Sequence, residues 1–191
     1  MSTSELLGIA AGALELLSLP IYVGTILRGK TRPDRVTWWI LSLVSAMVAA
    51  SYFAAGARQT VWLPASFALC MLIVAVLSLR YGEGAARLSA IDTISLLGAL
   101  LSAVLWVIVQ SPLVALLLLV FTEFIGLIPT IHKAYRRPWT ESTLPWAIGS
   151  LAAFLNVLAI PQWSFAIALY PFYIFATNLI VTAFLLRKRN V

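Results

Sequence analysis

The chain has 191 residues, of which 62% are hydrophobic and 10% charged, and its mean hydropathy is +0.98. Soluble domains are about 45–50% apolar and about 25% charged, so this composition excludes an ordinary soluble domain and indicates a membrane protein. The formal net charge is +6, which would also suit a nucleic-acid-binding protein if the basic residues formed one patch. The single cysteine, Cys70, lies in an apolar run, so the sequence predicts neither a disulfide framework nor a metal site built from cysteines.

Seven apolar segments predict seven transmembrane helices. A helix needs about 20 apolar residues to cross the hydrocarbon core of a bilayer. That template fits residues 5–27, 36–56, 61–80, 91–110, 112–132, 142–160 and 163–186. The first segment has no basic stretch before it and is long enough to span, so we interpret it as a retained helix and not as a signal peptide. Asp92, in "SAIDTIS", is predicted to be the N-cap of the fourth helix.

The basic residues predict the orientation of these helices. Every lysine and arginine except Arg58 lies in or beside the loops that follow the first, third and fifth segments, or in the C-terminal tail. Cytoplasmic loops carry the excess of basic residues, so the N-terminus is predicted outside and the C-terminus in the cytoplasm. Charges spread over every inner loop, without interleaved aromatic residues for base stacking, disfavour nucleic acid as a partner. The compact chain, without eukaryotic targeting signals, favours a prokaryotic inner (plasma) membrane.

The two ends of the chain resemble each other. Shifts of 108 and 107 positions match Glu15 with Glu123, Trp38 with Trp146, Pro64 with Pro171 and Arg80 with Arg187. Because four helices separate the copies, an even number, both copies have the same orientation and are parallel repeats about an axis along the membrane normal. The predicted fold is therefore an all-α membrane protein, with a first three-helix repeat (1–86), a linker helix (87–111) and a second three-helix repeat (112–191).

Two segments carry a resemblance to a known family. "LSLPIYVGTILRGKTRP" and "GLIPTIHKAYRRPWTES" each place a proline near the inner end of a helix, just before a short basic loop. With the three-plus-one-plus-three arrangement, they resemble the SWEET and PQ-loop transporters, which have a conserved proline at this place in helices 1 and 5. The resemblance implies alternating-access transport of a sugar or similar small polar solute. It makes Pro20 and Pro129 candidate hinges, since each proline removes a backbone hydrogen bond. It also makes Asn178 a candidate solute ligand, although the repeat partner of Asn178 is Met71.

Glu15 and Glu123 are carboxylates near the midpoints of the first and fifth spans. An ionisable group at the bilayer centre costs at least about 2.5–3.5 kcal/mol on insertion scales and usually faces the bundle interior or a water-filled cavity. As repeat-related residues at equal depth, the two are predicted to meet across the pseudo-twofold axis. One hypothesis is that either or both change protonation as the cavity opens to each side, which would couple transport to protons. The alternative is a protonated glutamate that only bonds a neighbouring helix.

Further polar and aromatic residues complete the predicted solute site. Asn156 lies in the sixth span, where the alternative to solute binding is an interhelical hydrogen bond. Tyr170, Phe172 and Tyr173 lie deeper than the tryptophans of the interfacial belt, so they are candidates to line a pocket. His132 is either a titrating gate residue or, as we favour, a solvated surface histidine.

The sequence carries no pattern that predicts an enzyme. HExxH, GxSxG, P-loop and GxGxxG strings do not occur on suitable elements, so we expect no catalytic residues, no cofactor and no metal. The favoured function is a small-solute transporter, whose partners are the solute and the lipid bilayer. Because the chain holds both halves, it is expected to act as a monomer or a homo-oligomer. The alternative is a non-transporting seven-helix receptor or assembly protein, since a fold does not fix a function.

Overall fold

Seven α-helices make up the computed structural model, which describes residues 1–29, 32–33, 35–82, 88, 90–136, 138 and 143–187. They are α1 (Thr3–Leu27), α2 (Arg35–Ala54), α3 (Trp62–Tyr81), α4 (Ala90–Val109), α5 (Pro112–Arg136), α6 (Thr143–Leu158) and α7 (Phe165–Leu185). Each helix overlaps one of the seven predicted segments. No strand occurs in these described ranges, so the all-α prediction is confirmed there.

Four of the helices, α1, α3, α5 and α7, are long and apolar enough to cross a membrane. The apolar stretches of the other three are shorter, at Trp38–Ala54, Thr93–Val109 and Thr143–Leu158. Helix α6 has only 16 residues and ends just before "AIPQW", where the proline disfavours helical conformation in the residue before it. The structure is therefore compatible with an integral membrane protein, and spanning by α2, α4 and α6 stays a prediction.

Serine side chains cap the N-termini of two helices. The hydroxyl oxygen of Ser2 accepts a hydrogen bond from the backbone N–H three residues later, at 3.2 Å. Ser164 does the same at the start of α7, at 3.3 Å. Such caps satisfy N–H groups that have no partner within the helix. The predicted N-cap at Asp92 is wrong, because α4 already begins at Ala90 and Asp92 therefore lies inside its first turn.

Arg35, at the start of α2, holds the end of α3. Its guanidinium donates to the backbone carbonyl oxygens of Ser78 and Gly82, both at 3.1 Å. The carbonyl oxygens at the C-terminal end of a helix carry partial negative charge, so a cation stabilises them, although Ser78 also accepts from the Gly82 backbone N–H at 2.8 Å. This contact fixes the start of α2 beside the end of α3.

Successive helices alternate in direction, as the contacts between their ends show. We call the end of the bundle where α1 begins the N side and the opposite end the C side; the sequence predicts the N side to be extracellular. Helix α1 packs against α3 and α6, and α2 packs against α3, α4, α5 and α7. Helix α7 also packs against α5 and α6, and α3 touches α6, whereas α4 lies beside α2 and α5.

Helices α3 and α7 bury equivalent positions. The buried residues of α3 are Leu63, Pro64, Cys70, Val74, Ala75 and Ser78. Those of α7 are Tyr170, Pro171, Thr177, Val181, Thr182 and Leu185, which are the same six positions at the shift of 107 that the sequence comparison found. The two helices therefore present the same face to the rest of the bundle, although the side chains on that face differ.

Apolar contacts form three clusters. The largest lies among α2, α4, α5 and α7 and includes Val44, Val48, Leu116, Leu119 and Tyr170. A second joins α1, α3 and α6 through Ala11, Leu63, Ala152 and Ala153. The third lies at the C side, within α5 and α7, around Ala134, Val181 and Leu185. The core is thus built from small and branched residues that allow close helix packing.

Helix α1 approaches the start of α3 so closely that only glycine fits at Gly8. A Cβ there would overlap the backbone carbonyl oxygen of Gln59, and a Cβ on Gly12 would lie 2.9 Å from the Trp62 carbonyl oxygen. Nothing lies within 4 Å of a Cβ on Gly24, at the other end of the same helix.

We expect Gly8→Ala to lower the free energy of unfolding by about 1–3 kcal/mol, because the obstructing atom belongs to the backbone and has little freedom to move away. Gly24→Ala is the matched control and is expected to be neutral or stabilising by up to about 1 kcal/mol, since alanine is the better helix former. Thermal unfolding of both variants in one detergent measures the difference. Equal melting temperatures would contradict the close approach.

Candidate functional site

The two predicted glutamates lie along the middle of α1 and α5. Glu15 is only 9% exposed. Glu123 is half-buried, and its Oε2 atom is enclosed without a hydrogen-bond partner. Helices α1 and α5 do not pack against each other in the described part of the chain. Any approach of the two carboxyl groups is therefore across intervening helices.

Tyr170 on α7 is 1% exposed, and the charges of both Glu15 and Glu123 act on it. Tyr173, one turn further along α7, interacts with Glu123 in the same way, and Cys70 on α3 interacts with Glu15. Both glutamates therefore influence Tyr170 of α7, which the sequence had suggested only as a pocket-lining residue, but no contact joins the two carboxyl groups in the described part of the chain, and their meeting across an axis stays a prediction.

A third tyrosine, Tyr52, joins this group from α2. The ring centroids of Tyr52 and Tyr170 are 5.6 Å apart, and those of Tyr170 and Tyr173 are 6.2 Å apart. The Tyr52 hydroxyl donates to the Ile167 backbone carbonyl oxygen at 2.6 Å and lies 2.7 Å from the Thr60 hydroxyl. Because its one proton goes to Ile167, Tyr52 must accept the proton of Thr60. Tyr52 is fully buried, so both hydrogen bonds are shielded from water.

Sequence reasoning missed Tyr52. Its position near the end of a span resembles that of the interfacial aromatic residues, which need no specific partner. Its carbonyl partner is 115 residues away in the chain, so no local pattern indicates the bond. The only available signal is Thr60, a second hydroxyl residue in the loop that follows α2, and this signal is weak.

Asn156 on α6 is fully buried, and neither its Nδ2 nor its Oδ1 atom has a hydrogen-bond partner. It follows Ala152 and Ala153 by one turn on the same helix face, at the edge of the apolar cluster of α1, α3 and α6. A buried amide without partners loses about 1–3 kcal/mol of solvation that nothing replaces. Asn156 and Glu123 carry all the enclosed, unpartnered side-chain polar atoms among the described residues.

Asn178 on α7 is placed differently. Its Nδ2 atom donates to the backbone carbonyl oxygen of Ile174, one turn earlier in the same helix, at 2.9 Å. Its Oδ1 atom lies 2.7 Å from where a Cβ on Gly149 would be, so α6 approaches the amide closely at that glycine. Part of its hydrogen-bonding capacity is therefore already used within α7.

The two predicted hinge prolines both lie in the last third of a 25-residue helix. Pro20 lies in α1 and Pro129 in α5, and the helix continues beyond each of them. The Pro129 side chain is outside the described residues, and Pro20 is exposed. Each proline removes one backbone hydrogen bond close to the C side, which makes that part of the helix easier to bend.

The remaining predictions concern His132 and the binding of metal ions. His132 is exposed near the end of α5. No group of three or more His, Cys, Asp or Glu residues that could hold a metal ion occurs among the residues described.

Comparison of the chain with protein-family models, with characterised proteins and with solved structures finds no match. The resemblance to the SWEET and PQ-loop transporters therefore stays a prediction from sequence and topology.

We expect Asn156→Val to raise the free energy of unfolding by about 1–3 kcal/mol, because it removes two buried, unpartnered polar atoms. Valine already occupies the equivalent position of α2, at Val48. Asn178→Val is the control and is expected to be neutral or destabilising by about 1 kcal/mol, since its amide is bonded. Denaturant unfolding of the two variants measures the difference. A clear loss of stability in Asn156→Val would show instead that the amide is interhelical glue.

We expect Tyr52→Phe to lower the free energy of unfolding by about 1–3 kcal/mol, because it leaves the buried Thr60 hydroxyl and Ile167 carbonyl without their partner. Tyr81→Phe is a suitable comparison, since Tyr81 is only half-buried at the C-side end of α3. Thermal unfolding of both proteins in the same detergent tests this prediction. Similar melting temperatures would mean that water or another group replaces the Tyr52 hydroxyl.

Proposed function

We propose that the protein is a small-solute membrane transporter that works by alternating access, and that Glu123 and Asn156 are solute ligands. The observation that carries the proposal is that Glu123 and Asn156, both selected from the sequence as candidate solute ligands, carry the enclosed side-chain polar atoms that lack a hydrogen-bond partner among the described residues. A carrier must keep polar groups available for its solute, so a lack of internal partners is expected at its binding site. Glu15, which is buried in α1, and Tyr170, which is buried in α7 and on which the charges of both glutamates act, are further candidates for this site.

The packing of the helices supports two three-helix repeats, α1–α3 and α5–α7. If α1, α2 and α3 are exchanged with α5, α6 and α7, the pair α1 and α6 becomes α5 and α2, which are also in contact. The other contacts among these six helices also map onto each other. Only the contacts of α4 have no counterpart, as expected for a linker helix. Together with the matched burial of α3 and α7, this symmetry supports a pseudo-twofold axis.

The contacts between the two repeats favour closure at the N side. The Tyr52 hydrogen bond to Ile167 and its ring contact with Tyr170 join α2 to α7 there. At the C side, by contrast, the ring contact of Tyr22 with Trp38 and that of Tyr135 with Phe184 each lie within one repeat. Rocking of the repeats about Pro20 and Pro129 would open the C side first.

The charge of the site limits the class of solute. The middle of each helix lacks lysine, arginine and histidine, whereas α1 and α5 each carry a carboxyl group there. An anionic solute would have no cation to pair with in an environment of low dielectric constant, where charge interactions are strong. Neutral polar solutes such as sugars, and cationic ones, fit the site better than carboxylates or phosphates.

The experiment that tests transport is uptake into liposomes that contain only the purified protein. A panel of mono- and disaccharides, nucleosides, amino acids and small carboxylates is offered with and without a pH gradient. We expect flux of one solute class and none of the carboxylates, and we expect Asn156→Val to reduce that flux while remaining folded. No flux of any solute from folded protein would favour the alternative, a receptor or assembly protein on the same scaffold.

We also propose that Glu15 and Glu123 couple transport to protons. If they do, Glu123→Gln and Glu15→Gln keep a polar side chain but lose the ionisable carboxyl proton, so uptake should become independent of the pH gradient. The measurement is the ratio of initial rates with and without the gradient, for wild type and both variants. An unchanged ratio in both variants would leave the glutamates with a structural role.

A further inference from the structure

The C-side ends of α5 and α7 carry two arginines against one tyrosine ring. The Cζ atom of Arg187, just after α7, lies 4.6 Å from the ring centroid of Tyr135, in the last turn of α5. The Cζ atom of Arg136 lies 5.9 Å from the same centroid. Both distances are inside the range of about 6 Å over which an aromatic face attracts a cation. The edge of Phe184 supports the ring from α7, with the centroids 5.2 Å apart.

We propose that Arg136, Arg187 and Tyr135 form a binding site for the phosphate group of an anionic phospholipid. The site is separate from the proposed solute site and does not depend on it.

The two guanidinium groups have no anionic partner in the described part of the chain. Both arginines and Tyr135 are exposed, and no ion pair involves them. Stacking on a ring uses the flat face of a guanidinium and leaves the N–H donors around its edge free to bind oxygen. The two guanidinium groups carry like charges near one ring, and an anion that both could reach would offset their repulsion.

The position of the site favours a lipid as the source of the phosphate. Ala134, Val181 and Leu185 are buried between α5 and α7 next to this site, so Arg136 and Arg187 lie at the C-side edge of the apolar part of the bundle. Lipid headgroups lie at that level, and basic pockets between transmembrane helices are known to bind them. The exposed apolar side chains Ile128 and Phe124 of α5 lie further into the membrane, where acyl chains would pack.

The first repeat provides a natural control. The equivalents of Arg136 and Arg187 are Arg28 and Arg80, but Leu27 replaces Tyr135. In the structure, Arg80 instead lies over the ring of Tyr81, at 5.5 Å. The two repeats therefore have equal charge at equivalent places, and only the second has a ring shared by both arginines.

The test is native mass spectrometry of the full-length protein titrated with phosphatidylglycerol, and with phosphatidylcholine as the neutral comparison. We expect one phosphatidylglycerol molecule to bind to the wild-type protein. Its affinity should fall about fivefold for each guanidinium removed in Arg136→Gln and Arg187→Gln, as for basic residues near a lipid surface. The Arg28→Gln/Arg80→Gln double variant should leave that affinity unchanged. Tyr135→Leu should weaken binding, and Tyr135→Phe, which keeps the ring, should preserve it.

Three outcomes would overturn the proposal. Equal loss in the Arg28/Arg80 and Arg136/Arg187 double variants would mean that general surface charge attracts the lipid. Unchanged affinity in Arg136→Gln/Arg187→Gln, with the variant eluting as a folded species, would mean that the lipid binds elsewhere. Displacement of phosphatidylglycerol by an equal concentration of inorganic phosphate would show that the site takes a free anion and not a lipid.

Discussion

The constraint on which the structure depends is that a polar group inside an apolar bundle must find its partner within the protein. The small hydroxyl groups meet it locally, because serine and threonine side chains are short enough to bond the carbonyl one turn earlier in their own helix. Among the described residues, nine do so: Ser18, Thr25, Ser45, Ser51, Ser78, Ser102, Thr122, Ser150 and Thr177. Against this background, the unpartnered atoms of Asn156 and Glu123 are not a sign of loose packing. They are exceptions in a bundle whose other buried polar groups are largely satisfied.

The positions of the helices were predictable from the sequence, because a helix needs a minimum length to cross a bilayer and its ends carry turn-forming and charged residues. That is why the predicted segments and the observed helices coincide, and why the error at Asp92 is only a displacement within the first turn. The identity of Glu15, Glu123 and Asn156 as unusual residues was predictable for the same reason, since polar groups stand out in apolar runs. What they contact was not predictable. The influence of both glutamates on Tyr170, and the bond from Tyr52 to Ile167, depend on how separate helices meet.

The same limit explains Asn178. In the sequence both Asn178 and Asn156 are candidate solute ligands, yet Asn178 is bonded to its own helix, whereas Asn156 has no partner. Helix α6 also approaches the Asn178 amide closely at Gly149. A sequence shows which side chains have hydrogen-bonding capacity, but the packing decides which of them still have it unused.

The differences between the two halves are more informative about the site than their similarity. At matched buried positions, α3 has Leu63 and Cys70 where α7 has Tyr170 and Thr177, and α2 has Val48 where α6 has Asn156. In these three pairs the second half carries the stronger hydrogen-bonding group, while the glutamate is present in both. The reverse holds at Ser78 and Tyr52, whose equivalents in the second half are Leu185 and Ile160. If the repeats are related by a pseudo-twofold axis, a solute near that axis would meet carboxyl groups from both sides but the Asn156 amide from only one. Such a site would bind its solute in one preferred orientation. Exchanging Asn156 with Val48, in the double variant Asn156→Val/Val48→Asn, would then move the amide to the other side of the axis and leave the composition unchanged. If orientation matters, this exchange should impair transport as strongly as Asn156→Val alone.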